Sequence, residues 1–292
     1  MKKSVDVSIV IVSYNTRELL DRCLTSLYKS LKSSRLTVEV WVVDNVSRDG
    51  TLEMLSQKFP RVTVIKNSEN VGFGRANNQA IDRSTGEYIL LLNSDTEVLG
   101  AAIDKLTAFA RQHPKTFVGG KLYNVDRSPQ PSCGPFLTLP VVFAMLFLKG
   151  DKIGLTRYSP EKPRRVDWIS GACIMAGKTT FLDGLLFDMD IFMYMEEIDL
   201  LYRSRLKGYQ TYFCPEAEFI HVGSGSSTGG KKQPVLNIYR GLVYFYRRHY
   251  RPTDRIILTF LLKLKALVSI VIAIMLGKPN IREMYAEAYH LV

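Results

Sequence analysis

Strand and helix signals alternate four times within the first hundred residues, and this rhythm constrains the fold more than any single motif. Val7-Ser8-Ile9-Val10-Ile11-Val12 is a continuous apolar run, as in strands covered on both faces. Ser13-Tyr14-Asn15-Thr16 follows with helix-capping side chains, so a helix is predicted through Leu31. Val38 to Val43 reads as a second strand ending at Asp44-Asn45, with Ser47, Asp49 and Gly50 in the turn. Thr51 to Phe59 reads as a short helix, Val62 to Ile65 as a third strand, and Gly72 to Arg83 as a loop entering a helix. Tyr88 to Leu92 completes the series. The expected architecture is α/β: a Rossmann-like, mostly parallel central sheet flanked by helices.

In such sheets ligands bind beyond the carboxyl ends of the strands. Three polar clusters stand there: Ser13 with Asn15, Asp44 with Asn45, and Asn93-Ser94-Asp95-Thr96. A carboxylate among oxygen-bearing neighbours suits a hard divalent cation and a phosphate-bearing ligand. A fourth, acidic cluster is Glu196-Glu197-Ile198-Asp199, at the start of a helix predicted from Met195 to Lys207 with Gly208 as its stop. Acid there also complements the helix dipole. Two other fragments mislead. Gly72-Phe73-Gly74 lacks the third glycine of a dinucleotide fingerprint and follows the third strand. Ala176-Gly177-Lys178-Thr179 lacks the upstream glycine of a phosphate-binding loop.

The pattern turns irregular after Gly119. Residues 124 to 167 are rich in Pro, Ser and Arg around an apolar stretch, Leu137 to Leu148. Asp167 to Met175 reads as one strand and Thr211-Tyr212-Phe213 as a short one, and His221 opens a Gly/Ser loop to Gly230. The four cysteines include no CxxC pair, which indicates a reducing compartment rather than a disulfide framework. The first residues lack a signal-peptide core, so a cytoplasmic location is expected.

The motifs in order resemble the family 2 inverting glycosyltransferases, which have the GT-A fold, and among them the bacterial rhamnosyltransferase-type members. The matching stretches are Ser8 to Asn15, Val42 to Asn45 with Asp49-Gly50, Asn70 to Gly74 with Ala76-Asn77-Asn78, Leu91 to Asp95, Trp168 with Ser170-Gly171-Ala172, Met195 to Leu200, and His221. Asn237 to Arg240 and Arg247 to Tyr250 also match. The resemblance implies a catalytic domain over 1–230, with a nucleotide-binding half (1–100) and an acceptor and catalytic half (101–230). It implies a dTDP- or UDP-type sugar donor held by Ser13, Asn15, Asp44, Asn45, Gly72, Arg75, Asn77, Asn93, Ser94 and Arg240. Asp44 would meet the pyrimidine. Asp95 and His221 would hold Mg²⁺ or Mn²⁺, with Asn93 standing where the family has the first Asp of its metal motif. Trp168 and Gly171 would face the acceptor. Glu197 would be the general base, with Glu196 or Asp199 as alternatives if the helix register differs. Rhamnose is the first guess for the sugar; galactose and a fucose-like deoxysugar stay open. The acceptor is expected to be a saccharide, lipid-linked in a surface polysaccharide pathway.

A retaining or hydrolytic sugar enzyme would need a second carboxylate as nucleophile, and none is evident. A nucleic-acid-binding module would rest on the basic, Tyr-rich stretch Tyr239 to Arg255 but leaves the strand-end motifs unexplained, so no nucleic-acid partner is expected. The charge of +11 is uneven: residues 231–292 hold eleven Lys/Arg and three Asp/Glu, which is +8, and the rest of the chain holds +3. Ile256 to Leu276 is mostly apolar, but Lys263 and Lys265 interrupt it, and Ala266 to Leu276 would reach only about 16 Å as a helix. The expectation is a basic, helical, membrane-associating tail that anchors the enzyme peripherally on the inner face of the cell membrane, or else packs on its own domain or in a homodimer.

Overall fold

The structure is a computed structural model that describes residues 4–223 and 232–292. In chain order its elements are β1 (Val7–Ser13), α1 (Arg17–Leu31), β2 (Val38–Asp44), α2 (Thr51–Lys58), β3 (Thr63–Lys66), α3 (Phe73–Arg83), β4 (Tyr88–Asn93), β5 (Thr96–Val98), α4 (Ala102–Gln112), β6 (Thr116–Tyr123), β7 (Pro129–Gln130), β8 (Cys133–Gly134), α5 (Leu139–Phe147), β9 (Arg164–Val166), β10 (Trp168–Ile169), β11 (Cys173–Gly177), α6 (Lys178–Leu182), α7 (Glu196–Leu206), β12 (Gln210–His221), α8 (Lys232–His249), α9 (Pro252–Met275) and α10 (Pro279–His290).

Among the described residues ten strands form one sheet, ordered β3-β2-β1-β4-β11-β6-β12-β5, with β7 on β6 and β9 on β12. β3, β2, β1 and β4 run parallel. β11 lies antiparallel between β4 and β6, and β12 returns parallel to β6. Alternate residues of the apolar strands enter two cores. Val10 and Leu91 face α3, α7 and α8, whereas Ile9, Ile11, Leu90 and Leu92 face α1 and α4. Burial on both faces is why these strands read as unbroken apolar runs.

The predicted single strand over 167–175 is two, β10 and β11, broken at Ser170-Gly171-Ala172. The short strand at Thr211 is twelve residues long, with an irregularity between Cys214 and Glu218. The irregular stretch beginning at Gly119 contains half of β6. A Cβ on Gly119 would lie 2.8 Å from Ile169, and one on Gly120 2.5 Å from the Phe219 ring, so these glycines permit close packing. The Gly/Ser loop lies mostly outside the described residues. The basic C-terminal region begins with α8, whose Leu236, Tyr239, Leu242, Phe245 and Tyr246 share the core of β1, β4 and α7.

Candidate active site

A cavity of about 860 Å³ opens at the carboxyl ends of β1 and β4, lined by Asn45, Asn93, Ser94 and Asp95 on one side and Gly171, Glu196 and Glu197 on the other. Sheet register places Ser13 beside Asp44 and Val12 beside Asn93. Asp44 is buried behind the lining rather than in it, and Ser13 and Asn15 do not line the cavity either. The Asp44 Oδ2 accepts the Ser47 N–H at 3.0 Å, while Oδ1 has no partner among the described residues. A buried carboxylate oxygen left over in this way is suited to a donor on a ligand. Asn15, in the left-handed region at φ 52, ties the β1 and β2 loops together. Its N–H donates to Ser47 Oγ at 2.9 Å and its Oδ1 accepts the Arg48 N–H at 2.8 Å. The predicted Ser/Thr cap of α1 takes another form. Asp49 Oδ2 accepts the Arg17 N–H at 2.8 Å, which releases the Thr16 hydroxyl to donate to Ser94 at 3.0 Å and meet Ser13 at 3.0 Å.

Asn45 donates to the Gly72 carbonyl at 3.3 Å and accepts from Asn67 at 2.7 Å. Gly72 has φ 85, and a Cβ there would lie 2.6 Å from the Phe192 carbonyl oxygen, so only glycine lets this loop pass beneath residues 183–195. Arg75 donates to the Met189 carbonyl at 2.7 Å, and Asn77 donates to the Phe73 carbonyl at 3.0 Å. Both brace this crossing and neither lines the cavity. Arg240 is likewise exposed and outside the lining; it bonds Asn237 at 3.4 Å, and Asn237 does line the cavity.

His221 and Asp95 meet at the cavity wall, with Nε2 3.3 Å from Oδ1. Gln130 sets the imidazole. Its amide nitrogen donates to Asn124 at 2.8 Å and to the His221 carbonyl at 3.1 Å, so its oxygen faces His221 Nδ1 at 2.7 Å. That pattern places a proton on Nδ1 and leaves Nε2, which faces Asp95, as the ring atom able to ligate a cation. Asn93 Nδ2 lies 3.4 Å from Nε2, and Asn93 Oδ1 is buried without a protein partner. A lone pair, a carboxylate and an orphaned amide oxygen form a donor set that fits a hard or borderline cation. Sequence reasoning missed Gln130, whose role is visible only once β7 is placed on β6.

The acidic wall is built differently. Tyr194 and Met195, at φ 68 and 76, are two successive left-handed residues immediately before α7. Such backbone costs about 1–3 kcal/mol per residue and persists only where its surroundings hold it. α8 supplies that support. A Cβ on Gly241 would lie 2.6 Å from Met195 Cγ. Asp188 accepts from Arg248 at 2.6 Å and from Tyr244 at 3.0 Å. His249 Nε2 is 2.6 Å from Asp199, which also accepts from Arg203 at 2.7 Å. Burial alone would raise the Asp199 carboxyl, but the His249 hydrogen bond and the Arg203 charge hold it below the ordinary range. Asp199, the third acid of the predicted cluster, is therefore spent on clamping α7 to α8 and does not line the cavity.

Glu196 and Glu197 do line it, and each has a buried Oε2 with no hydrogen-bond partner among the described residues. Burial raises both carboxyls, and the Glu197 charge raises Glu196 further. On Glu197 backbone N–H groups, including Gly171 and Ile198, and the Arg157 charge work in the other direction. Of the two, Glu197 is the one with several backbone N–H groups and a guanidinium charge favouring its carboxylate form. Gly171 leaves room here: its Cβ would sit 3.8 Å from that of Glu197. Trp168 lies beneath the wall, 3% exposed, donating its indole N–H to the Pro135 carbonyl at 2.8 Å. The Arg157 guanidinium stacks 5.2 Å from its ring and reaches the cavity lining, so Trp168 meets the site only through Arg157. Nothing in the Pro/Ser/Arg-rich sequence around Arg157 signalled this.

A ligand cavity at the strand ends, facing a carboxylate pair on a mixed α/β sheet, is the layout of a GT-A glycosyltransferase. The model of glycosyl transferase family 2 matches residues 8–132. The chain is 31% identical over 258 residues to the N-acetylglucosaminyl-diphospho-decaprenol L-rhamnosyltransferase of Mycobacterium tuberculosis, covering 82% of each. The chain belongs to glycosyl transferase family 2. It is also 33% identical over 124 residues, 41% of its length, to the poly(ribitol-phosphate) beta-glucosyltransferase of Bacillus spizizenii, of which this stretch is 19%. Among solved structures it resembles S. aureus TarS 1–349, with TM-score 0.56 and 14% identity over 98% of this chain and 91% of that one. It also resembles the mannosyltransferase PcManGT from Pyrobaculum calidifontis in complex with GDP-Man and Mn²⁺, with TM-score 0.53 and 18% identity over 98% and 74%.

Proposed function

We propose that this enzyme transfers a sugar, with inversion, from a dTDP- or UDP-type nucleotide sugar to a saccharide or lipid-linked acceptor in polysaccharide synthesis, working peripherally on the inner face of the cell membrane. The observation that carries the reading is the cavity itself: Asn93, Asp95 and His221 line it together with Glu197. Asp44 accepts a hydrogen bond from the pyrimidine through Oδ1. Asp95, His221 and the Asn93 amide oxygen hold Mg²⁺ or Mn²⁺, which when bound neutralises the departing diphosphate. Glu197 takes the proton of the acceptor hydroxyl as that oxygen bonds to the anomeric carbon and the carbon–diphosphate bond breaks. Glu196, whose carboxyl burial and the Glu197 charge push up, faces the same cavity and can hydrogen-bond the sugar or acceptor. Likeness to the mycobacterial rhamnosyltransferase supports rhamnose as the sugar. A panel of nucleotide sugars tested for protection against thermal unfolding, with and without Mn²⁺, examines this directly. A dTDP- or UDP-sugar should protect, more strongly with metal; protection by none of them contradicts the proposal.

A further inference from the structure

The outward face of the C-terminal helices carries an arrangement that the donor chemistry does not use. α9 has 24 residues and a mean hydropathy of 2.4 in its most apolar window, only 22% of which is buried. Leu258, Leu262, Ala266 and Ala273 are buried along its length, so one side stays on the protein throughout. The other side exposes Ile256, Phe260, Leu264, Leu267, Val271 and Ile274, recurring every three or four residues. At about 100° per residue the exposed apolar side chains cover an arc of roughly 160°, and Lys263 and Lys265 fall on its two opposite edges. In the linear sequence these lysines interrupt an apolar segment; on the helix they border it.

A second exposed apolar surface adjoins the first. α5 packs against α9 and exposes Phe143. The segment that follows exposes Leu148, Ile153 and Leu155, interleaved with exposed Lys149 and Lys152. The same segment carries Asp151 and Arg157 into the cavity lining.

We infer that an anionic bilayer surface is the occupant of this face, with α9 lying in the membrane plane and Leu148, Ile153 and Leu155 inserting beside it. Apolar side chains enter the acyl boundary while Lys265, and Lys263 where its Nζ overlies the Tyr289 ring at 5.3 Å, border them at headgroup level, the arrangement of an interfacial helix. The +8 charge of residues 231–292 supplies the complementarity. A helix crossing the bilayer would have to pull its buried side off the catalytic core. The inference deepens the lipid-linked acceptor reading, because the segment that enters the headgroup layer is the one that reaches the cavity.

Flotation of the full chain with phosphatidylglycerol/phosphatidylcholine vesicles, without nucleotide or acceptor, tests it. The protein should float at low salt and not with phosphatidylcholine alone. Lys263→Glu/Lys265→Glu and, separately, Ile153→Ser/Leu155→Ser should each lower partitioning about tenfold or more. Nucleotide affinity, measured by calorimetry on the same proteins, should stay unchanged and also reports folding. Failure to float, flotation that ignores both double variants, or a soluble dimer that Leu264→Asp dissociates would overturn the inference. None of these results touches the donor reading, which falls instead if calorimetry finds no nucleotide binding.

Discussion

The two walls of the cavity are made by opposite means. The proposed donor wall is the product of sheet register: parallel β1, β2 and β4 end together and bring Asn45 and Asn93 to the lining, with Asp44 buried behind it. The acidic wall is a strained helix entrance that presents two carboxyls with raised pKa, held in place by α8. On the proposed reading, binding and chemistry are separable here. The sheet prepares the first, and the start of the C-terminal region maintains the second.

Four outcomes would sharpen or break that contrast. Glu197→Gln should bind the nucleotide normally yet lose a factor of roughly 10²–10⁴ in turnover, the usual share of a general base. If Glu196→Gln is dead and Glu197→Gln active, Glu196 and not Glu197 is the base. His249→Ala leaves the buried Asp199 carboxylate with one hydrogen bond fewer, and losing a hydrogen bond to a buried charged group costs about 1–3 kcal/mol. Denaturant unfolding should report a loss of that order, with turnover falling further than nucleotide affinity. The sign with pH is fixed: Asp199 lies below its ordinary value of 3.8, so its contribution is present above that pH and disappears as pH falls through the lower folded value. Asp44→Ala should weaken UDP or dTDP binding by about 1–3 kcal/mol and leave the acidic wall intact; unchanged affinity by calorimetry removes it from the site. Gln130→Leu should lower Mn²⁺ affinity by about 10–100-fold, because the His221 tautomer is no longer set. Unaltered Mn²⁺ titration would mean that His221 orients itself.

The donor wall was legible because each of its strands is a continuous apolar run that stops at polar residues. Asn93-Ser94-Asp95 follows Leu92, and register did the rest. The second half was less legible for reasons of packing. The pattern reads as irregular after Gly119, yet Gly119 and Gly120 lie within β6 and let it approach Ile169 and Phe219. Ser170-Gly171-Ala172 read as mid-strand, yet it separates β10 from β11 and makes room beside Glu197. Asp199 reads as an alternative base to Glu197, since adjacency on a helix cannot reveal that His249, fifty positions on, pairs with it. Lys263 and Lys265 read as interruptions until the buried side of α9 was known.

The account's central claim is a single displacement assisted by one base. It is tested most directly by the anomeric configuration of the product, read by NMR after transfer from the nucleotide sugar that protects the enzyme best. The account predicts a linkage of inverted configuration relative to the donor, absent with Glu197→Gln. A retained configuration would require a covalent intermediate on a second carboxylate and would contradict it.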